Sequence, residues 1–319
     1  MSLNKRQQLE QWTTVVADTG DLQRIAELQP YDATTNPSLL LTAARDERYQ
    51  PLLGQARELA REMGHGNDLS WCCDAYACVA GQAVLEHIPG LVSTELDARL
   101  SFDTVAMIEK ARRLMALYRE LDVDGSRVLV KVAATWEGIQ AARVLEDEGI
   151  RCNLTLVFCL EQALAAAEAG ATLISPFVGR IHDWHVKRGL QITNINDDPG
   201  VQSVREIFHT LKERGLETIV MGASFRNLAQ IEALTGCDRL TISPALLDEL
   251  AADEGELSRQ LDASELEPVE DWRPLNEAQF RWSLNENPMA SDLLSEGIRR
   301  FAVDQRALEN LMTAEEMAA

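Results

Sequence analysis

The chain has 319 residues, 46% of them hydrophobic, and sets 30 basic side chains against 51 acidic ones for a formal charge of −21. That length suits one α/β barrel, and the acidic residues, spread along the chain, exclude the basic footprint that nucleic acid or an anionic membrane needs in a partner. A small phosphorylated ligand stays open, given a few locally placed arginines.

The opening Met1-Ser-Leu-Asn-Lys-Arg-Gln-Gln has no apolar core of signal-peptide length, and no later stretch approaches a membrane span, so a soluble cytoplasmic protein is expected. Short apolar runs then alternate with longer amphipathic segments, the pattern of parallel strands joined by helices. Eight strand candidates centre on Thr14 to Asp18, Ala33 to Thr35, Leu91 to Glu95, Val128 to Val132, Cys152 to Leu156, Leu173 to Pro176, Thr218 to Gly222 and Arg239 to Ile242. Apolar residues recur at helical spacing over Asp103 to Leu121, Glu137 to Glu148, Val204 to Lys212 and Arg226 to Leu234. The gap from Pro37 to Pro89 has room for two or three helices. From about Pro244 the strand signal ends, Ala251 to Glu270 reads as a solvated helix and loop over the wall, and a long helix is expected near Met289 to Leu311. Eight strands close a barrel, so the expectation is a (β/α)8 TIM barrel, one domain over 1–319, with extra helices including a C-terminal one.

The six cysteines follow no zinc or redox spacing and read as ordinary buried thiols of a reducing compartment. The five histidines are off the strand ends, which disfavours a metal-dependent mechanism.

Lys131 lies within Arg127-Val-Leu-Val-Lys-Val-Ala-Ala-Thr-Trp136, an apolar, β-branched run of the kind buried on both faces. Burial disfavours an ammonium. An amine neutral near pH 7 is a nucleophile suited to a carbonyl carbon, giving a Schiff base. On its own, the residue is equally a strand-end lysine whose head reaches water.

Side chains alternate across a strand, so Val16 and Asp18, Ser93 and Glu95, Leu129 and Lys131, Asn153 and Thr155, and Leu173, Ser175 and Phe177 each share a face. In each case the polar member lies toward the C-terminal end of its strand, where a barrel carries its active site. Each residue also has a plain reading. Asp18 could end a strand or cap a helix, Glu95 could open a surface loop, and Asn36 before Pro37 could be only an N-cap. Asn153 and Thr155 could be satisfied core polar groups, and Phe177 simply core. Their agreement around Lys131 weakens those readings. Arg180 follows the sixth strand and Arg226 the seventh, near the place where barrels hold phosphate. A surface arginine paired with a carboxylate is the alternative.

Several segments also resemble one family: DATTNPSLL (Asp32 to Leu40), VSTELDARLSFD (Val92 to Asp103), VLVKVAATWEGI (Val128 to Ile139), CNLTLVF (Cys152 to Phe158), ISPFVGRIHDW (Ile174 to Trp184), MGASFRN (Met221 to Asn227) and GCDRLTISPALL (Gly236 to Leu247). In order, and over nearly the whole chain, they resemble the signatures of transaldolase. The segment His185 to Asp197 departs from that pattern, and no site residue is taken from it. The resemblance implies a class I aldolase barrel without metal or organic cofactor, a homodimer, and the non-oxidative branch of the pentose phosphate pathway. It implies Lys131 as Schiff-base nucleophile, Asp18 and Glu95 as acid/base groups, and Thr155 orienting a water. It implies that Asn36, Asn153 and Ser175 hold the sugar hydroxyls beside Phe177, and that Arg180, Ser224 and Arg226 hold the phosphate. The competing expectations are an aldolase that releases free dihydroxyacetone, a metal-dependent aldolase, and a non-catalytic sugar-phosphate binding barrel.

Overall fold

The computed structural model describes residues 3–269 and 272–316. Eight parallel strands, β1 (Thr14–Asp18), β2 (Asp32–Thr34), β3 (Val92–Glu95), β4 (Val128–Ala133), β5 (Cys152–Val157), β6 (Leu173–Pro176), β7 (Ile219–Gly222) and β8 (Arg239–Ile242), close into a barrel in chain order, with β8 pairing back onto β1. The (β/α)8 expectation therefore holds, each strand falling within one or two residues of its expected bounds.

The helices are α1 (Lys5–Leu9), α2 (Leu22–Leu28), α3 (Pro37–Ala44), α4 (Gln50–Glu62), α5 (Leu69–Leu85), α6 (Thr104–Glu120) and α7 (Trp136–Asp147). They continue with α8 (Leu160–Glu168), α9 (Val178–Val186), α10 (Pro199–Glu213), α11 (Leu228–Glu232), α12 (Pro244–Ala252), α13 (Glu277–Glu286) and α14 (Pro288–Glu316). Several helices after a strand begin on a side chain that accepts a backbone N–H of the first turn: Asn36 from Leu39, Asp103 from Ala106, Thr135 from Gly138 and Asn227 from Gln230. These caps satisfy donors that a helix start leaves free, and so fix where each loop ends. Among the described residues no helix is long and apolar enough to cross a membrane.

One expectation fails. The helix over Ala251 to Glu270 stops at Ala252, and 253–269 is loop with a single turn at Ala263–Glu265; Glu270 lies outside the described residues. Nor is the stretch merely solvated, because Leu257 and Leu261 are buried and pack into the main core.

The core has three parts, and the partition positions the site. A large cluster fills the space between sheet and helices. Inside the barrel Val16, Leu129, Leu173 and Met221 form a separate apolar plug, each at 1% exposure. A third cluster lies at the C-terminal rim, where Ala133, Leu156, Phe158, Phe177, Ile181 and Ala223 meet Ala290, Leu293, Leu294, Ile298 and Phe301 of α14. The plug closes the barrel interior with apolar side chains, and the rim cluster brings the C-terminal helix to the same end as the polar residues of the strands.

Candidate active site

Register brings the expected residues onto neighbouring strands. Glu95 pairs with Lys131, Lys131 with Asn153, and Asp18 with Thr34. Lys131 is 5% exposed. Its Nζ lies 3.0 Å from Glu95 Oε2 and donates to the Thr35 carbonyl at 3.3 Å. Glu95 thus stands beside the amine in the barrel, on the neighbouring strand. Burial pushes the Glu95 carboxyl above its ordinary range against the opposing pull of Lys131, and the same balance raises Asp18. Both acids are thus tuned upward.

A hydrogen-bonded run crosses three strands: Ser175 Oγ donates to Asn153 Oδ1 at 2.7 Å, and Asn153 Nδ2 donates to Ser93 Oγ at 3.0 Å. Thr34 Oγ1 donates to Asp18 Oδ1 at 3.4 Å and lies 2.9 Å from Thr241 Oγ1. The Thr155 hydroxyl is fully buried and has no hydrogen-bond partner among the described residues. An unpaired buried hydroxyl costs free energy and suits a water or ligand atom that would complete it.

A small cavity of about 70 Å³ is lined by Asp18, Thr34, Asn36, Lys131, Ser175, Phe177, Arg180, Met221, Ala223, Ser224, Thr241 and Phe301. Arg180 also lines an outer cavity of about 550 Å³ in which Lys187, Arg188, Arg226, Arg299 and Arg300 face the carboxylates of Asp183, Asp292 and Glu296. Among the described residues Arg180 has neither a hydrogen-bond nor an ion-pair partner; its guanidinium stacks over Phe177 at 4.8 Å and Phe301 at 5.5 Å. Burial, with neighbouring Arg300, brings it down to about 10, so it keeps its charge at neutral pH. A half-buried cation with five free donors is a site for an anion.

Arg226 behaves differently. Its Nε and Nη2 donate to Asp183 Oδ2 at 3.1 and 2.8 Å, and its Nη1 donates to Ser224 Oγ at 3.2 Å. Ser224 has φ +66°, a left-handed backbone uncommon for a side-chain-bearing residue. Gly179 permits the loop to sit so close to α9, since a Cβ there would meet the Ser224 carbonyl at 2.1 Å and the Arg226 side chain at 2.8 Å.

Of the expected residues, Glu95, Asn153 and Thr155 flank the lysine without lining the small cavity, and Arg226 lines only the outer one. Asn36 is both N-cap and cavity wall. Sequence reasoning missed Thr34 and Thr241, which strand parity could have flagged, and Phe301, which nothing local in α14 announced. No histidine lies on a strand, and among the described residues no group of three metal-ligating side chains converges.

Comparisons with known proteins agree with this geometry. The family model described as Transaldolase/Fructose-6-phosphate aldolase matches residues 15–312. A protein named Transaldolase from Marinobacter nauticus is 54% identical over 311 residues, covering 96% of this chain and 97% of its own. Proteins of the same name from Marinomonas sp. and Stutzerimonas stutzeri are each 53% identical, covering 97% of this chain and 98% of their own. A barrel with a lysine at its C-terminal rim, matched over this span and at this identity, leaves one assignment: the chain belongs to the transaldolase/fructose-6-phosphate aldolase family.

Proposed function

We propose that this protein is a transaldolase, moving a dihydroxyacetone unit from a ketose phosphate, sedoheptulose 7-phosphate or fructose 6-phosphate, to an aldose phosphate, glyceraldehyde 3-phosphate or erythrose 4-phosphate. The observation that carries the chemical reading is Lys131 Nζ, buried in the barrel and 3.0 Å from Glu95 Oε2, on the strand next to Asn153. In this reading Glu95 takes a proton from the ammonium, and the free amine attacks the C2 ketone. Glu95, with a water on the unpartnered Thr155 hydroxyl, returns the proton that leaves with the carbinolamine oxygen as water. Asp18 then removes the C4 hydroxyl proton. The C3–C4 bond breaks, its electrons pass to the iminium, and the aldose departs. The enamine on Lys131 attacks the incoming aldehyde, and hydrolysis frees the new ketose.

Asn36, Asn153 and Ser175 hold the dihydroxyacetone hydroxyls, with Phe177 as wall. Arg180, Ser224 and Arg226 take the phosphate, a role supported by the free donors of Arg180. The same reading makes the chain one cytoplasmic domain and, on the resemblance alone, a homodimer acting in the pentose phosphate pathway. The test is to mix the protein with fructose 6-phosphate and borohydride and map the adduct by mass spectrometry. A reduced dihydroxyacetone mass on Lys131 is expected; a label elsewhere, or none, refutes the reading. Release of free dihydroxyacetone without an acceptor would move the activity to the aldolase side of the family.

A further inference from the structure

The end of one strand and the loop after another, both at the C-terminal rim, are built on one plan. In β5 Leu156 has φ +58°, and two residues on, the Phe158 N–H donates at 2.8 Å to Gln162 Oε1. After β7 Ser224 has φ +66°, and two residues on, the Arg226 N–H donates at 2.8 Å to Gln230 Oε1. Both glutamines are fully buried. In each case a strained residue is followed by a backbone donor that the buried amide holds, which is how surrounding structure over-determines a rare conformation.

The two differ in what holds the far end of the amide. Gln162 Nε2 donates to the carbonyls of Ala134 and Leu156 at 2.8 and 3.0 Å. Gln230 Nε2 donates at 2.9 Å to Asp198 Oδ2, a carboxylate only 1% exposed. The same oxygen lies 2.8 Å from His182 Nδ1, and Asp198 Oδ1 accepts from the Gly200 N–H at 2.8 Å. An ionised carboxylate only accepts, so it takes the NH2 end of Gln230 and leaves the carbonyl end facing the Arg226 N–H. Asp198 caps α10, and His182 sits on α9 two residues beyond Arg180. From the other side, Val178 and Gly179 donate to the Ala223 and Ser224 carbonyls, both at 2.8 Å.

We infer that Gln230, oriented by Asp198, is the positioning residue that holds the Ser224–Arg226 loop in phosphate-binding form. It lies behind the loop and touches no substrate. This rests on the reading of Arg180, Ser224 and Arg226 as the phosphate site and says what maintains that site.

Gln230→Met keeps length and volume and removes both hydrogen bonds. With the full-length protein and erythrose 4-phosphate as acceptor, KM for fructose 6-phosphate is expected to rise about tenfold while kcat stays within about twofold. The kcat/KM for unphosphorylated fructose is expected to stay within about twofold, because only phosphate binding is disturbed. Equal losses on both sugars would reduce Gln230 to a merely structural part, and unchanged kinetics would likewise overturn the inference. Should Gln230→Met fail to fold, Asp198→Asn decides by the same readout: it keeps an acceptor for the α10 cap but no longer dictates the orientation of the amide, so a selective rise of about threefold in KM is expected. Equal or absent effects there overturn the inference too. Arg226→Ala run in parallel separates the two levels of argument. If it leaves KM for fructose 6-phosphate unchanged, the phosphate-site reading itself is at fault.

Discussion

Lys131→Met tests whether the resting lysine serves as counter-ion to buried carboxylates as well as nucleophile. The side chains of Lys131 and Glu95 are 7% and 4% exposed and 3.0 Å apart. Removing one partner of a buried pair costs about 3 to 5 kcal/mol, because the other charge is left without compensation. With an unfolding entropy near 2.1 cal/mol/K per residue over 319 residues, that cost lowers Tm by about 4 to 7 °C. The pH dependence gives the sign. Burial already raises Glu95 with the lysine present, and without it the rise grows. A carboxyl whose pKa is higher folded than unfolded loses its proton first in the unfolded chain, so folded-state stability falls as pH climbs from the unfolded value to the folded one, then levels. The Tm deficit of the variant is therefore expected to be small near pH 4.5, about the ordinary Glu value, and to grow as pH rises above it. Lys131→Met/Glu95→Gln is expected to recover most of it while staying inactive. Thermal denaturation of the three proteins across this range is the assay. A Lys131→Met protein melting at or above wild type at pH 8 would refute the reasoning and favour an amine that is neutral at rest.

Arg226→Ala is expected to impair phosphorylated sugars selectively, since a charge-assisted contact contributes about 1.5 to 3 kcal/mol; equal impairment of unphosphorylated analogues in steady-state kinetics counts against a phosphate role. Gly179→Ala forces a Cβ against the Ser224 carbonyl and the Arg226 side chain, so KM for fructose 6-phosphate is expected to rise with a modest loss of Tm, and unaltered KM would show that the loop yields freely. Because Asp18 must be ionised to accept the C4 hydroxyl proton and burial raises it, the acid limb of kcat/KM is expected above the usual carboxylate range near pH 4; a limb at or below that range refutes the assignment.

Much of this was legible in one dimension. A strand has period two, so placing Lys131 in an apolar run also placed Leu129 on its face, and the positions of Asp18, Glu95 and Ser175 in their runs put them toward one end of their strands. The structure keeps that order because parallel neighbours preserve direction. Asn36 beside Pro37 was readable as a cap, and it is one. Those features depend on residues a few positions apart. What depends on distant segments meeting was silent. Phe301 reaches the cavity only because α14 folds across the rim, and Gly297 of that helix passes so close to Leu156 that a Cβ would lie 2.7 Å from it. The helical period tells which side of α14 is apolar but not what it covers. Likewise an Asp in α9 and an Arg after β7, 43 residues apart, carry no local mark of pairing, and a glutamine in α11 gives no sign that it will find Asp198. Hydrophobic periodicity determined the barrel and the face on which its chemistry lies; only closure of the chain decided which charges compensate one another there, because electrostatic and hydrogen-bond energies depend on distances of a few ångströms that sequence separation does not encode.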